Sequence, residues 1–173
     1  MKTLLLPALF LALLMGIAQA RIGETEQQLI ARYGNEISKG QSWIVGGNSL
    51  PQVEFQKSGF KITVLLFHGL AADERFSKVH MEDALNDEET QTLLTDDDGA
   101  HHAWNKSSDP WLGNDGTRDG DPYPTWRRED GEAVAQINQG SSGERGLEIK
   151  STKLNDYIKA AWEKEHASSL DGF

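Results

Sequence analysis

Phe60-Lys61-Ile62-Thr63-Val64-Leu65-Leu66-Phe67, closed by His68-Gly69, decides the fold. Phe60, Ile62, Val64 and Leu66 alternate with Lys61 and Thr63, which is the two-residue period of a strand with one face on a core. Turn residues bracket the run. Lys57-Ser58-Gly59 joins it to a strand around Val53 to Phe55, and His68-Gly69 leads into a third strand from Leu70 to Val79. Glycine supplies the positive φ that a two-residue hairpin needs. Three segments separated by such short turns form an antiparallel meander, because parallel neighbours need a long crossover.

Outward from the meander, the N-terminal side reads as a capped helix. Thr25 is an N-cap with Gln28 three residues on, Leu29, Ile30 and Tyr33 share one face, and Gly34 sits at the stop. Residues 35–50, with Gly40, Gly46, Gly47 and Asn48, read as a loop around Trp43-Ile44-Val45. The C-terminal side repeats this logic. Asn86-Asp87-Glu88-Glu89 is a second capping box before Leu93 and Leu94. After a loop-rich stretch from Asp96 to Thr125, Trp126 to Arg128 and Ala133 to Ile137 flank the turn Glu129-Asp130-Gly131, and Leu147 and Ile149 alternate in a further strand. Leu154, Tyr157, Ile158, Ala161 and Trp162 then mark an amphipathic final helix. The order predicts an α+β fold with helices packed on one face of an antiparallel meander sheet. It also predicts a tandem α-βββ repeat with half-repeats 21–80 and 81–173, the second ending in a C-terminal helix.

Composition narrows the function. The 173 residues carry 17 Lys+Arg against 27 Asp+Glu, a formal charge of −10, and no Cys. Absence of Cys excludes disulfides, thiolate metal sites and a cysteine nucleophile. The acidic balance argues against a nucleic-acid partner, which calls for clustered cations. Residues 1–20 read as a signal peptide: Lys2 precedes an apolar run from Leu4 to Ala18, and Ala18-Gln19-Ala20 offers a cleavage site before Arg21. The run is shorter than the ~18–20 residues of a bilayer span, so no membrane span is expected after cleavage. The expected location is secreted or periplasmic, with 21–173 as a single domain.

The spacing Gly23-x-Thr25-x-x-Gln28-Leu29-x-x-x-Tyr33-Gly34 resembles the opening of small envelope proteins of the outer-membrane-assembly lipoprotein and β-lactamase-inhibitor-like group. Trp126, Arg128, Asp130 and Gly131 resemble a hairpin of uncharacterised exported bacterial proteins. This chain lacks the lipid-bearing Cys, and Asn35 stands where a Pro often follows the glycine. The resemblance implies a helix-plus-meander fold and an envelope address, and it carries over no catalytic residue.

Candidate chemistry concentrates between residues 96 and 123. Asp115, Asp119 and Asp121, interleaved with Gly116 and Gly120, are candidate Ca2+ ligands, because calcium takes hard oxygens from Asp-rich turns. They depart from an EF-hand loop, since Thr117 stands at its third position and Trp126 at its twelfth. Turn formation accounts for the same residues. Asp96 to Asp98 with His101 and His102 offer a transition-metal set. Trp104 and Trp111 are candidate ligand contacts for a sugar, against a competing role in closing the core. Gly140-Ser141-Ser142-Gly143 reads as a hairpin loop, and neither a nucleophile elbow nor a zinc helix occurs.

The leading expectation is a non-enzymatic exported module that binds an unknown protein partner, needs no cofactor, and offers Trp43, Phe60 and Phe67 as contacts. One alternative is a calcium- or carbohydrate-binding module built on the acidic loop. Another is a small secreted hydrolase in which His68, His80 or His101 meets a carboxylate.

Overall fold

The computed structural model describes residues 22–44, 47–80, 83–97, 102–107, 124–139 and 145–167. In chain order these form α1 (Glu26–Tyr33), β1 (Ser38–Trp43), β2 (Ser49–Lys57), β3 (Phe60–Phe67) and β4 (Leu70–Lys78). There follow α2 (Asp87–Asp97), β5 (Trp104–Ser107), β6 (Thr125–Arg128), β7 (Ala133–Gln139), β8 (Arg145–Ser151) and α3 (Thr152–Ala167). The strands make one sheet in the order β1-β2-β3-β4-β8-β7-β6-β5, and every pairing is antiparallel. The fold is α+β with a C-terminal helix. Each half is a helix followed by a meander, and the last strands of the two meanders, β4 and β8, pair at the centre.

Each meander has four strands, one more than the sequence led us to expect. The additional strands are β1 and β5, the two outermost. Their side chains are exposed or half-buried on both faces, so they carry no alternation to read. Both tight turns behave as expected. Ser58 (φ 51°) with Gly59 (φ 83°), and His68 (φ 55°) with Gly69 (φ 79°), are pairs of positive-φ residues, the conformation that matches the twist of a two-residue hairpin. Both capping boxes also form. Thr25 N–H donates to Gln28 Oε1 at 2.8 Å, and Glu89 N–H donates to Asn86 Oδ1 at 2.9 Å.

Helices α1 and α2 share one face. Leu29 and Tyr33 of α1, and Leu93 and Leu94 of α2, pack with Val53, Phe55, Ile62, Val64, Phe76, Ile137, Leu147 and Ile149 in the main core. Helix α3 lies on the other face, which corrects the expectation that all helices share one side. Leu154 and Ile158 pack there with Leu50, Leu65, Phe67 and Ala72. The physical reason lies in β3. Its outward series begins polar at Lys61 and Thr63 but ends apolar at Leu65 and Phe67, which gives α3 a seat at one end of the sheet. Pairing to β4 shifts between Leu65 and Leu66, and this bulge places Ala72 in the same small core.

Candidate functional site

Away from the small core under α3, the face that carries this helix is mostly polar, with Val134 an apolar exception. Strand register sets one residue from every strand in a single row across it: Ser38, Glu54, Thr63, Arg75, Glu148, Gln136, Thr125 and Ser107. Residues directly opposite one another on paired strands point to the same face, so this is one continuous polar ladder. At ~4.8 Å per strand it is about 34 Å wide. A parallel row contains Gly40, Gln52, Leu65, Asp73, Lys150, Val134, Arg127 and Asn105. On the other side lie Gln56, Lys61 and Ser77.

A charged network occupies the centre, across β4, β8 and β7. Arg75 Nε donates to Glu148 Oε1 at 3.0 Å and to Asp73 Oδ1 at 3.3 Å, and its Nη2 donates to Asp73 Oδ2 at 2.9 Å. Lys150 Nζ lies 3.3 Å from Glu148 Oε1, and the Gln136 amide donates to Glu148 Oε2. Asp73 and Glu148 are buried, whereas the Arg75 side chain is 42% exposed. Nearby, Lys61 Nζ pairs with Glu54 Oε1 at 2.8 Å.

Burial splits the two acids. Loss of water, then repulsion from Glu148, pushes Asp73 up to about 6 despite the pull of Arg75 and Lys150. Burial also opposes ionisation of Glu148, but Lys150, Arg75 and the Gln136 hydrogen bond together outweigh it and hold Glu148 down at about 2. Arg75 is raised, chiefly by Asp73. Burial works against the Lys150 cation, yet Glu148 and Asp73 outweigh it, so Lys150 is raised too. The pair of acids therefore shares one proton over a wide pH range.

The network holds a guanidinium rigidly at a sheet surface. It does not line a deep cleft. The adjoining depression, bounded by Val134, Ala135, Gln136, Glu148, Lys150 and Asn155, has a cavity volume of about 10 Å³, far below the ~300 Å³ at which small-molecule pockets begin.

Of the candidates named from sequence, Trp104 is held by the fold: its indole N–H donates to the Leu94 carbonyl at 2.8 Å and its ring packs on the main core. Trp111, Asp115, Asp119, Asp121, Asp98 and His101 lie outside the described residues. Asp97 is fully buried and paired with Arg128 at 3.3 Å, so it closes the core beside α2. Among the described residues no three of His, Asp and Glu converge as a metal site. His68 is a turn residue whose ring lies 4.1 Å from that of Phe67, and His80 is exposed. Trp43 is 77% exposed at the end of β1, and Ile37 just before β1 is exposed as well. Phe60 packs against the core under Lys78, and Phe67 lies 5.3 Å from Tyr157, so both serve internal packing. No helix among the described residues is long and apolar enough to cross a membrane.

The polar ladder went unread in the sequence. Lys61-x-Thr63 and Glu148-x-Lys150 were visible only as the outward positions of half-buried strands. Their alignment into a row depends on the pairing of β4 with β8, which joins residues 73 positions apart.

No family model matches the chain, and no curated protein does. A solved structure of a cysteine-rich secretory protein from Staphylococcus aureus is similar at a TM-score of 0.37 and 9% identity. The match covers 77% of this chain and 45% of that one, so this chain spans less than half the length of the structure it matches. A likeness at that TM-score carries no argument about fold or function.

Proposed function

We propose that this chain is an exported protein-interaction module of the cell envelope or exterior, and that its partner docks on the polar sheet face. One observation carries the reading: an unbroken polar row, one residue from each of eight strands, opposite a face filled by α1 and α2. With a width of about 34 Å and a depth of two to three rows, the whole face spans on the order of 500–700 Å² before the part beneath α3 is subtracted, which suits a contact smaller than the ~800 Å² each partner contributes to a standard interface. The shallow depression and the compensated charges suit contact with a surface better than capture of a small substrate.

Site-specific photocrosslinking in an envelope fraction tests this. A crosslinker at Gln136 or Arg127, on the ladder face, is expected to capture a discrete protein species. The same probe at Glu88, on exposed α2, is expected to capture none. Capture from Glu88 alone, or from no position, would overturn the reading.

A further inference from the structure

This inference rests on the docking reading and names the chemistry of the partner. On the ladder face two bases, Arg75 and Lys61, stand above the acids, while Lys150 is only 16% exposed. Asp73 and Glu148 are buried, Glu54 is 17% exposed, and Arg75 and Lys61 are 42% and 45% exposed. A partner approaching the centre of the row therefore meets N–H groups first, although the chain as a whole carries a charge of −10.

Arg75 stands out among these cations. Three bonds from Nε and Nη2 fix its guanidinium plane from below, between Asp73 and Glu148. Its Nη1 edge has no partner among the described residues. The folded sheet has thus already ordered a side chain that would otherwise lose much rotamer freedom on binding, and a planar fork held this way is suited to a carboxylate. Arginines so placed at the middle of an interface are frequent anchors. Thr63, directly across from Arg75 on β3, adds a hydroxyl beside it.

We propose that Arg75 anchors the docking interface by taking an Asp or Glu side chain of the partner protein through Nη1. The bond is a salt bridge made at the centre of the eight-strand row, with the Thr63 hydroxyl alongside.

The test uses the isotope-labelled chain from Arg21 onward, with acetyl-Glu-Gly-Glu amide as probe and its Gln counterpart as control. The Glu peptide is expected to give saturable NMR shifts at the Arg75 side-chain N–H and the Thr63 amide, at least threefold larger than the Gln peptide gives. Arg75→Lys should weaken the response severalfold. The double variant Asp73→Asn with Arg75→Gln, which keeps the charge balance of the network, should abolish it, while its dispersed amide spectrum reports that the sheet still folds. Shifts spread evenly over Lys57, Lys106 and Arg127, or unchanged in the double variant, would overturn the assignment. The two readings fail separately. If crosslinks still map a partner to the ladder face while the double variant captures it undiminished, Arg75 is not the anchor and the docking face stands. If crosslinks map to α2, the docking reading itself fails.

Discussion

Replacing Asp73 by Asn should make the protein more stable at neutral pH, and the gain should vanish in mild acid. Asp73 is fully buried, and its carboxyl titrates at about 6 in the folded chain against an ordinary 3.8. Between those values the folded state holds a proton that the unfolded state has released. Stability contributed by this group therefore falls as pH rises from about 4 to about 6. At about 1.4 kcal/mol per tenfold change in proton affinity, the loss is about 3 kcal/mol. Glu148 acts in the opposite sense. Its folded value near 2 lies below the ordinary 4.5, so its contribution is present above about 4.5 and is lost as pH falls toward 2. Together the pair predicts a stability maximum near pH 4, with a decline on each side. Urea unfolding of the chain and of Asp73→Asn at half-unit steps from pH 3.5 to 7.5 measures this, and the difference between the two proteins cancels the titrating groups that do not interact with Asp73. The two should agree near pH 4, where protonated Asp and Asn are near equivalents, and the variant should be more stable by about 3 kcal/mol at pH 7. Parallel curves across the range, or a variant less stable at pH 7, would refute the argument that burial and Glu148 dominate Asp73.

Other substitutions probe the remaining parts of the fold. Phe55→Ala removes a fully buried ring from the main core and should cost about 3–5 kcal/mol by chemical denaturation, whereas Trp43→Ala at the exposed end of β1 should stay within about 0.5 kcal/mol of the parent. Thr25→Ala deletes the acceptor of the α1 capping box and should cost about 1 kcal/mol, read as a lowered midpoint of thermal unfolding. Leu154→Ala empties the small core beneath α3. It should cost about 2–5 kcal/mol and speed amide exchange in residues 152–167 more than in α1.

Local chemistry was legible where the chain decides locally. Thr25 with Gln28 and Asn86 with Glu89 started two helices as their spacing implied, and Ser58-Gly59 and His68-Gly69 turned two hairpins, because caps and tight turns depend on neighbouring residues alone. The inner strands were legible because one covered face imposes a period of two, seen at Ile62, Val64 and Leu66. The outer strands β1 and β5 lacked that imprint, since a strand with both faces near solvent has no hydrophobic rhythm to display. Trp104 could be read as a sugar contact or as packing, and only the position of the Leu94 carbonyl separates the two.

The placement of α3 and the polar ladder belong to tertiary structure. An amphipathic helix after β8 is written in the local pattern of residues, but its stripe says only that one side is apolar, not which sheet face receives it. That was decided by Leu65, Phe67 and Ala72 coming together beside Leu50. In the same way, Arg75 and Glu148 are ordinary outward-facing charges until β4 pairs with β8 and brings them within 3.0 Å. Burial then follows from the assembled sheet, and with it the divided proton affinities of Asp73 and Glu148, because desolvation is a property of everything packed around a group and of no residue alone.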